Sequence, residues 1–174
     1  MRIRMLSLAL CALAVSWSAQ AVRADGSPFQ LALFTPLQIV SADKSVSGLS
    51  INLIYGRNLD VTGIDFGLVN HVTGNAGGIQ WGAINYVEKE AIGWQNGWIN
   101  ISKEKFTGFQ YGWYNQDGEG NGLCVALLNN TKSMNGVQIG VVNVTENLHG
   151  LQIGVANIVQ KGGIPFLPIV NWRF

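Results

Sequence analysis

Side chains able to do acid–base chemistry are sparse in this chain. It has two histidines, His71 and His149, and 10 acidic residues in 174. A general base or an activated nucleophile needs a histidine and a carboxylate within hydrogen-bond reach of the reacting group. The nearest acids in sequence are Asp65 to His71 and Glu146 to His149, and their spacing forms no constellation. Both histidines read as surface residues. There is no Cys/His cluster with zinc spacing, no Gly-x-Ser-x-Gly elbow and no phosphate loop. Calcium-binding repeats would put Asp beside the glycines, where this chain puts Gln. The expectation is a protein without a catalytic site, metal or cofactor.

The strongest functional lead is aromatic. Trp81, Trp94, Trp98, Phe109, Tyr111, Trp113 and Tyr114 fall close together, where the flanking sequence uses Val, Ile and Leu. Two readings compete. Bulky rings fill cores, and Trp and Tyr also gather at membrane interfaces, where an apolar body and a polar tip are both satisfied. On the second reading these seven residues contact lipid or another ligand; a sugar platform is weaker, for want of clustered carboxylates nearby.

The aromatic residues belong to a repeat. Eight copies begin at Gly48, Gly63, Gly78, Gly93, Gly108, Gly122, Gly136 and Gly150, spaced by 15 residues four times and then by 14 three times. The consensus is Gly-Φ-Gln-Φ-Gly-Φ-Φ-Asn followed by a polar link. Asn fills the eighth place in seven copies, and Tyr55 replaces it in the first. Within a copy the apolar residues alternate with Gly and Gln, as Val137, Ile139 and Val141 do against Gly136, Gln138 and Gly140. Period two is a strand pattern, and two glycines per copy argue against helix. The links carry turn residues, such as Gly74-Asn75, Asp117-Gly118 and Lys132-Ser133. Their mixed charges (Glu88, Lys89, Glu90, Lys103, Glu104, Lys105, Asp117 and Glu119) read as solvated turns. Asn100, Asn129 and Asn143 match the glycosylation acceptor pattern, a by-product of the repeat Asn preceding small β-formers.

The flanks complete the outline. Arg2 and Arg4 precede an apolar run from Leu6 to Val15 and small residues up to Ala24, the pattern of an export signal over residues 1–24. Cys11 lies inside that run after Leu10, which is a poor lipid-attachment context. A single β-repeat domain over 25–174 remains, with repeats from 48 to about 159 and a closing strand over 163–174. Cleavage removes three of the 11 basic residues and no acid, leaving eight against ten, a net of −2. No basic patch for nucleic acid survives, and Cys124 has no cysteine partner. Charged residues are 12% of the chain, about half the usual quarter. A leading segment, Phe29 to Val40, is broken by Pro36, and Pro165 and Pro168 confine the closing strand to a sheet edge or bulge.

The expected class is all-β, and the expected architecture is a barrel, with a solenoid as the alternative. A shallow closed antiparallel β-barrel of about ten short strands suits the palindromic Gly-Φ-Gln-Φ-Gly segment and the alternation of Phe166, Pro168, Val170, Trp172 and Phe174 at the end. That ending resembles the closing strand of bacterial outer-membrane barrels. A parallel β-solenoid suits the Asn and Gln columns, which would stack as ladders. Three apolar positions per copy fall short of the roughly five lipid-facing positions of a spanning strand.

The chained Gly-Φ-Gln-Φ-Gly-Φ-Φ-Asn units resemble the bacterial surface-repeat family, and they are similar to repeats associated with the β-flower fold, a shallow barrel of splayed hairpins. The resemblance covers Gly48 to about Val159 and implies a surface or membrane-linked protein with no assigned catalytic residues. The functional expectation is a non-enzymatic, exported envelope protein. It would sit at the outer membrane or cell surface, with a structural or lipid-contact role and membrane lipid as partner. The alternative is a periplasmic or secreted module that holds a lipid or glycan on its aromatic repeats. Protein partners are not indicated by the sequence.

Overall fold

A computed structural model describes residues 26–174; the expected export signal, with Cys11, lies outside them. Nine strands form one sheet: β1 (Ser27–Phe34), β2 (Leu37–Gln38), β3 (Val46–Asn58), β4 (Val61–Val72), β5 (Ala76–Val87), β6 (Glu90–Asn96), β7 (Ile99–Tyr111), β8 (Tyr114–Val159) and β9 (Phe166–Arg173). The all-β expectation holds. The architecture is a parallel β-solenoid of about seven turns, in which each repeat copy is one coil stacked on the one before.

The closed antiparallel barrel does not form, and neither does a ring of splayed hairpins. Successive copies run parallel and in register: Gly63 pairs with Gly78, Asp65 with Gln80 and Asn70 with Asn85, and the pattern continues through Gly93, Gln95 and Asn100. The palindromic segment allows pairing in either direction, so it could not decide. What selects the parallel stack is the place of each Gln and Asn. In register, Gln80 stacks on Gln95 and Gln110, and Asn70 on Asn85, Asn100 and Asn115, like on like from coil to coil. The links are accordingly not hairpin turns; β8 remains extended through three coils, with the links at Lys132-Ser133 and Glu146-Asn147 inside it. The drop from 15 to 14 residues is absorbed in one link, where the β7–β8 register jumps between Ser102 and Lys105.

The repeat glycine has a steric cause. Each of the eight copy-starting glycines has φ between 108° and 148°, a region L-residues rarely enter. A Cβ there would lie about 2 Å from a main-chain carbonyl oxygen of the preceding strand; at Gly108 it would be 2.0 Å from that of Gly93. The fifth-place glycine marks a bend. Gln80 and Asn85 both point inward although five residues apart, which strict alternation forbids. The chain therefore changes direction between them, at Gly82, where a Cβ would be 2.4 Å from the oxygen of Gly67.

Four inward columns fill the coil. One is apolar, running through Val46, Val61, Ala76, Ala91, Phe106, Met134 and Leu148, with Phe106 and Met134 flanking the space left by Gly120. A second is mixed: Val72, Val87, Ser102, Asp117, Thr131, Thr145 and Val159 are all buried. The other two are polar, the Gln and Asn columns. The sequence alternation correctly separates Gly and Gln from the large apolar residues; the structure adds that the amides face in and most of the apolar side chains face out.

Both ends are closed by strands. At the start, β1 lies parallel on β3 and folds back at Pro36 into β2. Its Gln30 is buried beside Ser50 and accepts a hydrogen bond from the Val40 N–H at 2.7 Å. At the finish, β9 crosses antiparallel onto the last coil as an edge strand, as its prolines required. Asn171 sits opposite Gln152 and donates to the Ile164 carbonyl at 3.0 Å. The caps are polar where they face the core and apolar where they face out, so polarity of the end segments gave no sign of them.

Candidate functional site: an apolar band around one corner

Reading outward from the polar core, four columns cover the bend of each coil: the residues one, three, five and six places after the copy-starting glycine. In the third copy these are Ile79, Trp81, Ala83 and Ile84; in the seventh, Val137, Ile139, Val141 and Val142. Among the described residues no acidic or basic side chain stands in these columns, and Asn96 is their one amide. The charged side chains other than buried Asp65 and Asp117 lie in the links, the caps or the bordering columns, with Lys89, Glu90, Lys103, Glu104, Glu119, Lys132 and Lys161 exposed. The coil is thus amphipathic across its section. The band extends over both caps, through Phe29 beside Leu49 at one end and Trp172 beside Leu151 at the other.

All seven aromatic residues singled out from the sequence lie in this band, and none is in the core. Trp98 and Trp113 are 58% and 60% exposed and stack with ring centroids 5.5 Å apart and an interplanar angle of 14°. Trp94 stands 6.1 Å from both Trp81 and Phe109. Tyr111 is exposed, while Phe109 and Tyr114 are half-buried among their neighbours. Core filling is carried by the amides and by a few residues such as Phe106, and the rings face away from it.

The band also contains a depression that the aromatic residues alone did not indicate. A groove of about 370 Å³ is lined by Ile51, Leu53, Phe66, Leu68, Trp81 and Trp98, with Gly67, Gly82 and Ala83 among its lining residues. It exists because Ala83 occupies a column that holds Leu68 one coil before and Trp98 after. Aligning the copies by column, and looking for the small residue in a large column, would have revealed it.

The Asn column holds the bend. From Asn52 through Asn70, Asn85, Asn100, Asn115, Asn129 and Asn143 to Asn157, each Nδ2 donates to the next Oδ1 at 2.8–3.0 Å. From Asn70 to Asn143 the same nitrogen also donates to a carbonyl of the next coil, such as that of Trp81, Asn96 or Tyr111. The first copy supplies its ladder Asn from another place. A register shift between Asn52 and Tyr55 lets Asn52 reach the ladder from the place of the fifth-position glycine. Asn100, Asn129 and Asn143 are fully buried here, so the three acceptor patterns are structural.

The Gln column donates in the opposite sense. Gln110 donates to Gln95 at 2.7 Å, Gln95 to Gln80 at 2.6 Å and Gln80 to Asp65 at 3.1 Å. Burial raises the Asp65 carboxyl to about 6, against the hydrogen bonds from Gln80, Ser50 and Asn52. Asp117, read from sequence as a solvated link residue, is instead buried in the mixed column. It accepts from Gln110 at 2.8 Å, and burial raises it to about 7. Cys124 stands in the Gln column as a buried free thiol, pushed well above its usual range by burial and then by Asp117. The Oε1 atoms of Gln110 and Gln152 have no partner.

His71 does find a carboxylate, in neither of the places the sequence suggested. Its Nε2 lies 2.9 Å from Glu88 Oε1 and its Nδ1 2.7 Å from the Tyr55 hydroxyl, while Tyr86 meets its ring edge-on at 4.9 Å. The solenoid places residues 15–17 apart side by side, a relation invisible to nearest-neighbour counting. The bond to His71 holds the Glu88 carboxyl below its usual range. Among the described residues no group of three His, Cys, Asp or Glu side chains is placed to hold a metal ion.

No family model, curated protein or solved structure matches the chain.

Proposed function

We propose that this protein is a non-enzymatic, exported envelope protein that lies on a membrane through the apolar band. The solenoid axis runs parallel to the bilayer plane, the bend columns enter the headgroup–acyl boundary, and the charged links remain in water. It is the solenoid counterpart of an interfacial amphipathic helix, whose apolar face sinks about 5–10 Å. The observation that carries this reading is the continuous band without acidic or basic side chains. Exposed apolar patches beyond a few hundred Å² mark interaction surfaces, and this one runs through all eight repeat copies and both caps. The Trp and Tyr rings at its centre favour the same boundary. The export pattern and the surface-repeat resemblance of the sequence agree with an envelope location.

The test is flotation of the purified chain with phospholipid vesicles, together with tryptophan emission. Co-flotation with a blue shift is expected. A chain that stays at the bottom of the gradient with unchanged emission would sink the membrane reading.

A further inference from the structure

We propose that the groove across the first four coils holds one lipid acyl chain, lying along the solenoid axis; this rests on the lipid-contact reading and names what that surface takes up. The lining runs from Ile51 and Leu53 in the first coil, past Phe66 and Leu68 and then Trp81, to Trp98 in the fourth. With coils about 4.8 Å apart, that is a slot of about 14 Å, long in one direction. At about 370 Å³ it is within the range of small-molecule sites.

The chemistry of the lining selects the occupant. No charged side chain borders the groove. The one amide among its lining residues, Asn52, already donates to Asp65 and to Asn70, each at 2.9 Å. The wall strands pair with one another from coil to coil, Ile51 with Phe66 and Phe66 with Trp81, so their main chain has little left for an extended peptide. A sugar or peptide would leave its polar groups unpaired there, which opposes its binding. A hydrocarbon chain has none to leave. Ala83 sets the opening: in the column of Leu68 and Trp98 it is the residue that leaves room.

The experiment uses sole-tryptophan forms of the chain, keeping Trp81, Trp98 or the distant cap residue Trp172, with the other tryptophans replaced by Phe. A dibrominated fatty acid, kept below its self-association concentration, is titrated into each. Saturable one-to-one quenching of Trp81 and Trp98, with Trp172 untouched, is expected. Ala83→Leu, an outward substitution, should weaken that quenching by at least about tenfold. Vesicles of brominated phosphatidylcholine should still quench Trp172 in the Ala83→Leu form. Equal or unsaturable quenching of all three tryptophans, or indifference to Ala83→Leu, overturns the groove even if vesicles bind. Saturable monomer binding with no vesicle effect leaves the groove standing and removes the membrane reading instead.

Discussion

The two amide columns differ in what they tolerate. The Asn column passes from Asn52 to Asn157 without a gap, and where the first copy lacks its eighth-place Asn, Asn52 reaches in from another position. The Gln column starts with Ser50 and Asp65, breaks at Cys124 and leaves two oxygens unpartnered. The reason lies in the backbone. Each central Asn donates both to its counterpart and to a main-chain carbonyl just before the bend, so it fastens a point where the strand ladder is turning. Gln side chains sit mid-strand, where main-chain pairing is complete, and they bond chiefly to one another and to side chains such as Asp65, Asp117 and Thr131. An amide is indispensable when it serves the backbone and replaceable when it serves its neighbours.

Several substitutions would break or sharpen that contrast. Asn100→Ala removes the acceptor for Asn85 and the donor to both Asn115 and the Tyr111 carbonyl; a loss of about 4 kcal/mol is expected from the buried groups left unpaired, read by urea denaturation. A loss below about 1 kcal/mol would refute the fastening role. Next in size is a pH effect. Folded Asp117 and Asp65 keep protons that the unfolded chain releases near pH 4, so the native state binds more protons in between. Stability should be full below about pH 4 and fall as pH rises to about 7, by on the order of 3 kcal/mol for Asp117. Asp117→Asn should flatten most of that slope, and denaturation midpoints that rise with pH across this window would contradict it. Gln95→Met, in the tolerant column, should cost only about 2 kcal/mol; a cost equal to that of Asn100→Ala would erase the distinction between columns. Smallest is Cys124→Gln, which offers Gln110 Oε1 the donor it lacks and should raise stability by about 1 kcal/mol, seen as a higher melting temperature.

Much of this was legible in the sequence, and the limits are physical. The strand period, the eight copies and the edge role of the closing strand follow from alternation and from proline. Direction of pairing did not, because Gly-Φ-Gln-Φ-Gly reads the same both ways, and the bonds between like amides that select the parallel stack exist only once the coils lie in register. Nor did the sense of the faces follow. Hydrophobic residues are ordinarily the inward ones, whereas here Gln138 is fully buried and Ile139 beside it is exposed. The aromatic residues were found by type, and the groove was missed because its defining residue, Ala83, is small. His71 and Glu88 were missed because they are neighbours across coils and 17 residues apart in the chain.

The copy-starting glycines set a gauge for the whole molecule. Each sits beneath the carbonyl of its predecessor with no room for a methyl group, so coils follow one another at a fixed pitch. One residue more or less can vanish into a link, as it does after Ser102. Anything between that and a full period would put a side chain where only hydrogen fits. Length in such a molecule is counted in whole coils, and each added coil would lengthen the polar spine and the greasy edge by the same step, leaving the rest of the architecture as it was.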